Sequence, residues 1–268
     1  MISISANQHI GKSANQLNQY VSELVLPEKN SRKGENGRVL VIGGSRLFHA
    51  ASFWAATMAS KIVDMVHFSS PTLENNELMR VRAKEKFWDG IVVPWEDLAH
   101  YIEEDDSILI GPGMERGEET RKIVNELLAK YPEKRWVVDG GALQEVDPAL
   151  LTPTMIVTPN AREAEILGGK VPAGVTVLAK GVVDVVSGGG EKVEIPGGSP
   201  GMTKGGTGDV LAGLVAGLYA KSPAFSACVV ASYVNKRAGE ELEAKVGTFF
   251  AANDLIPEVQ KVLGNLLK

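Results

Sequence analysis

Cysteine occurs once in the chain, at Cys228. No disulfide can form within the chain, and the apolar run at 227–230 marks the thiol as a small buried hydrophobe rather than a nucleophile. Histidine is scarce as well. His9, His49, His67 and His100 show no metal-ligand spacing, so they read as structural or surface groups. His49 stands apart because it follows the turn Gly43-Gly44-Ser45. Basic residues are in deficit, with 28 Lys and Arg against 33 Asp and Glu. That balance and the lack of a basic stripe exclude a dedicated nucleic-acid binder. They do not exclude phosphate ligands, which backbone N–H groups can hold without cationic side chains. No apolar run reaches the roughly 18 residues of a membrane helix. Residues 1–12 are polar, without the apolar stretch of a secretion signal. The expectation is a cytoplasmic protein with no membrane partner. Neither GxGxxG nor GxxxxGK[ST] occurs, which disfavours an ordinary dinucleotide-binding domain and a P-loop.

What remains is an average globular composition, 44% hydrophobic and 23% charged over 268 residues. That suits one large α/β domain. Residues 1–36 are rich in Asn, Gln and Ser. Within them Leu17, Tyr20, Val21 and Leu24 fall at helical spacing after a cap at Ser13, predicting an amphipathic helix that packs on the body or on a neighbouring subunit. Residues 37–268 then form the main unit. Short apolar runs at 38–42, 107–110, 136–139, 155–158 and 175–179 read as buried strands. Residues 182–187 and 192–195 flank Gly188-Gly189-Gly190 as a hairpin. Helices are predicted over 50–63, 118–130, 208–220, 223–243 and 253–266. Continuous apolar strands alternating with helices indicate a mostly parallel sheet with helices on both faces. Ligands of such sheets bind beyond the carboxyl ends of the strands. The turns Gly43-Gly44-Ser45, Gly111-Pro112-Gly113, Asp139-Gly140-Gly141, Thr158-Pro159-Asn160 and Lys180-Gly181 all fall there and should meet on one rim.

The strongest chemical signal is Lys204-Gly205-Gly206-Thr207-Gly208-Asp209, which opens a helix apolar at 210, 211, 214, 215 and 218. Glycines before a helix free the backbone N–H groups to cradle an anion, reinforced by the helix terminus. Lys204 is placed to pair with a phosphate. Asp209 at the helix start is either a cap or, beside a bound phosphate, a general base for an incoming hydroxyl. Gly213 and Gly217, four residues apart, permit close approach of a neighbouring backbone. Taken alone, Lys180 at a strand end reads as a solvated lysine and Glu163 as part of a solvated helix start.

At these residues the chain resembles the ribokinase-like superfamily, whose signature is GGTGD opening an Ala/Gly-rich helix. The block GSPGMTKGGTGDVLAG is most similar to the NAD(P)H-hydrate dehydratases of the YjeF C-terminal type. The segments GRVLVIGGSRLFHAA, GPGM, VVDGGAL, TPNAREAEIL and VLAKG follow in that family's order, from about Gly37 to the C-terminus. The resemblance implies a ribokinase-like α/β fold. It also implies an enzyme that uses ADP or ATP with Mg²⁺ to restore NADH or NADPH from the hydrated cofactor. It places Asp209 as the base on the substrate hydroxyl, with Lys180, Gly181 and Lys204 to Gly208 (Gly205, Gly206 and Thr207 between them) on the nucleotide. Ala50, Gly113 and Asn160 map to positions that contact the hydrated cofactor. A homo-oligomer is implied, a tetramer among the candidate states. The chain departs from the family at Asn160 in place of a histidine, at Gly141 in place of an aspartate and at Asp184 in place of a threonine. Asn160-x-x-Glu163 also resembles an element of ribokinase-like small-molecule kinases that organises magnesium, which keeps a vitamin or sugar kinase as an alternative. A non-catalytic adenylate sensor is the third reading.

Overall fold

The computed structural model of the chain describes residues 17–85 and 89–268. Among them, nine strands form one sheet: β1 (Arg38–Ile42), β2 (Met65–Ser69), β3 (Gly90–Val92), β4 (Ser107–Ile110), β5 (Trp136–Val138), β6 (Ile156–Val157), β7 (Thr176–Ala179), β8 (Asp184–Gly188) and β9 (Glu191–Ile195). Their order across the sheet is β3-β2-β1-β4-β5-β6-β7-β8-β9. Pairing is parallel from β3 to β7 and antiparallel between β7 and β8 and between β8 and β9.

Successive strand residues face opposite sides of a pleated sheet, and both sides are filled here. Val39, Val41, Leu109, Val137 and Ile156 enter one apolar core, while Leu40, Ile42, Ile108, Ile110, Trp136 and Val138 enter the other. This is why the strands read as unbroken apolar runs. The first core is closed by α1 (His49–Ala59), α7 (Thr207–Tyr219), α8 (Ala224–Val246) and α9 (Ala252–Leu266). The second is closed by α3 (Leu98–Glu104), α4 (Glu118–Lys130), α5 (Gly140–Glu145) and α6 (Ala161–Leu167). A further helix, α2 (Leu73–Glu85), buries Met79 in the first core.

Helix α7 lies close against α1. A Cβ on Gly213 would fall 2.3 Å from the Ala55 carbonyl oxygen, and one on Gly217 would fall 2.8 Å from Ile62 Cβ. The glycine spacing therefore sets how near the two helices come, as expected. Helical residues 17–22 dock on the same face, with Tyr20 and Leu24 buried in the first core. The proposed cap at Ser13 and His9 lie outside the described residues.

Residues 64–106, in which the sequence predicts no element, hold β2, β3, α2 and α3. His67 interrupts the apolar pattern of β2, yet it is buried because its Nδ1 meets the Asp105 carboxylate at 2.9 Å. Burial of that carboxylate, partly offset by His67, leaves its pKa above the usual value. Several predicted bounds also shift. The first helix ends at Ala59 rather than Val63, where turns begin. The strand at 155–158 shortens to two residues, and α8 runs on to Val246.

Candidate active site

The loops beyond the parallel strands are tied one to the next along a single rim. Gly44 N–H donates to the Pro112 carbonyl (2.8 Å), Gly141 N–H to the Gly111 carbonyl (3.2 Å) and Lys180 N–H to the Pro159 carbonyl (2.7 Å). Thr158 Oγ1 donates to Asp139 Oδ1 at 2.6 Å. The five turns singled out in the sequence thus converge as expected.

The glycine segment ends this rim. Gly206 occupies the left-handed region, φ +97°, and stands at the N-cap of α7. No other residue type adopts that conformation readily. A Cβ there would also fall 2.4 Å from the Trp54 ring. The N–H groups of Gly205, Gly206 and Gly208 have no backbone acceptor among the described residues. They crowd at the positive end of the helix, which suits a bound anion.

Asp209 is the third residue of α7, and the N-cap position belongs to Gly206, so Asp209 is not the cap. Burial, and then the nearby charge of Asp139, push its carboxyl pKa up to about 7; Lys180 pulls the other way and Glu163 adds to the rise. Asp139, at the end of β5, is 2% exposed and accepts from Lys180 Nζ at 2.7 Å. Burial lowers the Lys180 pKa, but Asp139, Glu163 and Asp209 outweigh it and the net shift is upward. Lys180 is therefore a largely buried, charged partner of the acids rather than a solvated side chain. A group titrating near neutrality is suited to accept and release protons at working pH.

Two cavities flank Asp209 and the glycine segment. The first, of 680 Å³, is bordered by Ala50, Gly113, Trp54, Gln144, Gly206 and Asp209 among others. The second, of 690 Å³, is bordered by Asn160, Lys180, Gly181, Lys204, Thr207 and Gly208 among others. Ala50 and Gly113 thus share one cavity with Asp209, whereas Asn160, grouped with them by the resemblance, borders the other. Lys204 turns its ammonium to the Thr248 carbonyl and lies over the Phe250 ring at 5.3 Å. Thr207 Oγ1 donates to the Met202 carbonyl at 2.6 Å. His49 opens α1 and borders the first cavity. Cys228 is fully buried, and burial drives its thiol pKa upward.

Asn160 and Glu163 form a capping box on α6. Asn160 Oδ1 accepts from Glu163 N–H at 3.0 Å, and Glu163 Oε2 accepts from Asn160 N–H at 2.9 Å. Glu163 is 4% exposed, so the picture of a solvated helix start is wrong: its charge is enclosed because the box and Gln144 satisfy it. No group of three or more potential metal ligands occurs among the described residues.

Sequence reasoning passed over Lys236. It is 6% exposed on α8, and its Nζ donates to the carbonyls of Gly181 (3.0 Å), Val182 (2.9 Å) and Gly197 (3.1 Å) while facing Asp184 Oδ1 at 3.3 Å. Asp184 in turn accepts from Gly181 N–H and Ser232 Oγ. The departure at Asp184 therefore serves to anchor the Lys180-Gly181 turn. A lysine among small and apolar helix residues, four after Ser232, was the available signal. The departure at Gly141 also has a packing consequence: the Met114 carbonyl oxygen lies 2.0 Å from where a Cβ would stand.

The doubly covered, mostly parallel sheet, with the glycine turn and the aspartate behind it at one end, makes this an α/β protein with a ribokinase-like fold. The fold matches that of a ribokinase-like superfamily protein from Enterococcus faecalis (TM-score 0.78, 24% identity, 93% of this chain and 94% of that one). It also matches an ADP/ATP-dependent NAD(P)H-hydrate dehydratase from Bacillus subtilis (TM-score 0.75, 21% identity, 93% and 96%). The chain belongs to the NAD(P)H-hydrate dehydratase family, whose model matches residues 39–261. It is 33% identical over 269 residues to an ADP-dependent (S)-NAD(P)H-hydrate dehydratase of Nitrosopumilus maritimus, covering 88% of this chain and 91% of that protein. It is 32% identical to the bifunctional NAD(P)H-hydrate repair enzyme Nnr of Methanocaldococcus jannaschii, over 88% of this chain. The chain spans about half the length of the bifunctional relatives it matches. No helix among the described residues is long and apolar enough to cross a membrane.

Proposed function

We propose that the protein is an ADP- or ATP-dependent NAD(P)H-hydrate dehydratase, with residues 37–268 as the catalytic unit. The observation that carries this reading is Asp209, a carboxylate poised near neutrality that borders the first cavity just behind the glycine segment. The nucleotide takes the cavity of Lys180, Gly181 and Gly208, and its terminal phosphates lie against the N–H groups of Gly205, Gly206 and Gly208. Lys204 leaves the Thr248 carbonyl to meet a phosphate. The hydrated nicotinamide enters the cavity of Ala50 and Gly113.

Asp209 accepts the proton of the ring hydroxyl as its oxygen bonds to the terminal phosphorus and the bond to the nucleotide's bridging oxygen breaks. The product is a phosphate ester. The ring nitrogen lone pair then expels phosphate, and the neighbouring ring carbon loses a proton to restore the double bond. Hydroxide is a poor leaving group and phosphate a much better one, which is the reason for spending a nucleotide. The excess of carboxylates over Lys180 suits a divalent cation. Glu163 would hold Mg²⁺ through a water, since such ions keep waters and bind substrate phosphates. The bound ion would neutralise phosphate charge. A homo-oligomer, with a tetramer as one candidate state, completes the reading on the strength of the family resemblance.

Asn160 and Glu163 form a helix cap, and a carboxylate serving Mg²⁺ there suits either reaction, so the kinase alternative is separated by its product. Incubation with Mg²⁺, nucleotide and hydrated NADH should return the near-ultraviolet absorbance of NADH together with one free phosphate for each ring restored. Stable phosphorylation of a vitamin precursor or sugar, with no absorbance returned by ADP or ATP, would refute the proposal.

A further inference from the structure

Gln144 lies on α5 and borders the first cavity beside Gly141 and Asp209. One end of its amide is fixed: Nε2 donates to Glu163 Oε1 at 3.1 Å. Glu163 is itself held in the capping box, so its position is set by the backbone of α6. An ionised carboxylate only accepts hydrogen bonds, so it orients the amide with the NH₂ toward Glu163. The other end, Oε1, is buried and has no hydrogen-bond partner among the described residues. A buried carbonyl without a donor is unfavourable, and native structures rarely leave one so. Gln144 itself borders the first cavity, so a molecule bound there is the available source of a donor.

We propose that Gln144 is a specificity-determining residue whose Oε1 accepts a hydrogen bond from the carboxamide N–H of the hydrated nicotinamide, selecting the amide over the corresponding carboxylic acid. The inference rests on the dehydratase reading. The reduced, hydrated ring carries two donor groups, the hydroxyl and the carboxamide. The hydroxyl must give its proton to Asp209, a stronger base than any amide oxygen. That leaves the carboxamide for Gln144. A substrate carboxylate would set an acceptor against Oε1 and bring a further negative charge beside Asp139, Glu163 and Asp209. Beyond burial, the charges of Asp139 and Glu163 already push the Asp209 pKa upward, so this corner has little tolerance for another anion. A site that merely tolerates the ring would have no reason to orient an acceptor from behind.

The test compares hydrated NADH with hydrated, reduced nicotinic acid adenine dinucleotide. Each is supplied with Mg²⁺ and ADP or ATP, and kcat/KM is read from the returning absorbance. The wild type should prefer the amide by roughly 10-fold or more, as sites that hydrogen-bond a substrate group discriminate strongly against its loss. Gln144→Leu should lose most of that preference through KM for the amide, with the nucleotide KM unchanged. Gln144→Met, of similar length and without an amide, should behave alike and serves if the leucine variant folds poorly. A purely structural role would lower both substrates together. Full amide preference in the folded variants, or none in the wild type, overturns the inference alone. A wild type that restores neither substrate overturns the dehydratase reading and this inference with it.

Discussion

The two cavities beside Asp209 are nearly equal in volume, 680 and 690 Å³, but their walls are built on different terms. The wall of Gly181, Val182 and Gly197 is clamped from behind by Lys236, whose buried ammonium meets three carbonyls and a carboxylate. The opposite cavity is edged by Leu47 and Phe48, which are 71% and 54% exposed. Its edge is held by a hydrogen bond from Phe48 N–H to Ser45 Oγ at 3.1 Å. In the proposed function a phosphate chain is bound by backbone N–H groups, which must stay in register, and that side is locked by an internal ion pair. The same proposal has a bulky second substrate enter and leave on the other side, which presents exposed apolar side chains instead.

The largest effect should come from Asp209, which borders the first cavity directly behind the glycine segment. Asp209→Asn should lower turnover roughly 10²–10⁴-fold, the range for a lost general base, with nucleotide affinity by calorimetry nearly unchanged. In the wild type, kcat/KM should fall below about pH 7, because only the ionised carboxylate accepts a proton. The variant's residual activity should lack that limb. The same raised pKa has a stability consequence. Its contribution is present below the unfolded value near 3.8 and is lost as pH rises through about 7. The variant should therefore melt higher than the wild type at pH 8, by a larger margin than at pH 4. Equal margins would remove the buried charge from the account.

Lys236→Met should break the comparison on its locked side. It leaves Asp184 buried without its cation, which typically costs about 3–5 kcal/mol. Denaturant unfolding should show the loss, and nucleotide affinity should fall more than substrate affinity. Equal losses on both sides would mean that the ion pair supports the fold in general and not the clamp.

Gly206→Val should act on the segment between the cavities. The new side chain would need a left-handed backbone and would strike Trp54. Stability should fall by about 1–3 kcal/mol, with weaker nucleotide binding by calorimetry. The smallest effect is expected at the open edge. Phe48→Ser should raise the substrate KM about fivefold, the equivalent of roughly 1 kcal/mol of apolar contact, and leave the nucleotide KM and the melting temperature unchanged. A shift in the nucleotide KM would show that the two walls are not independent.

Much of this architecture was legible in the sequence because it rests on local chemistry. The buried strands declare themselves as apolar runs, and the glycine turns mark their carboxyl ends. Gly213 and Gly217 announce the close approach of α1. Residues 64–106 were not legible, because β2 carries His67, whose burial depends on Asp105, 38 positions away. The Lys236 clamp was hidden for the same reason: its partners lie on loops 39 to 55 residues earlier. Asp139 showed as the end of an apolar run and the start of a rim turn, but its contact with Lys180 spans 41 positions and did not show. Gln144 gave no signal, since an isolated glutamine at a helix end is ordinary until the neighbouring helix supplies Glu163. What the linear pattern misses is every polar group whose partner is distant.

The position of Lys236 also bears on how the protein is made. The ribosome delivers the nine strands of the sheet, the glycine turn and Asp209 before it reaches α8. A nascent chain ending after α7 therefore carries the proposed base and both loops of the proposed nucleotide wall, but not the ammonium that fixes those loops. On the proposed function, its capacity to hold a nucleotide in register arrives only with the second half of α8. Truncated translation products that stop short of residue 236 should accordingly be silent, displaying Asp209 without a phosphoryl donor aligned to it.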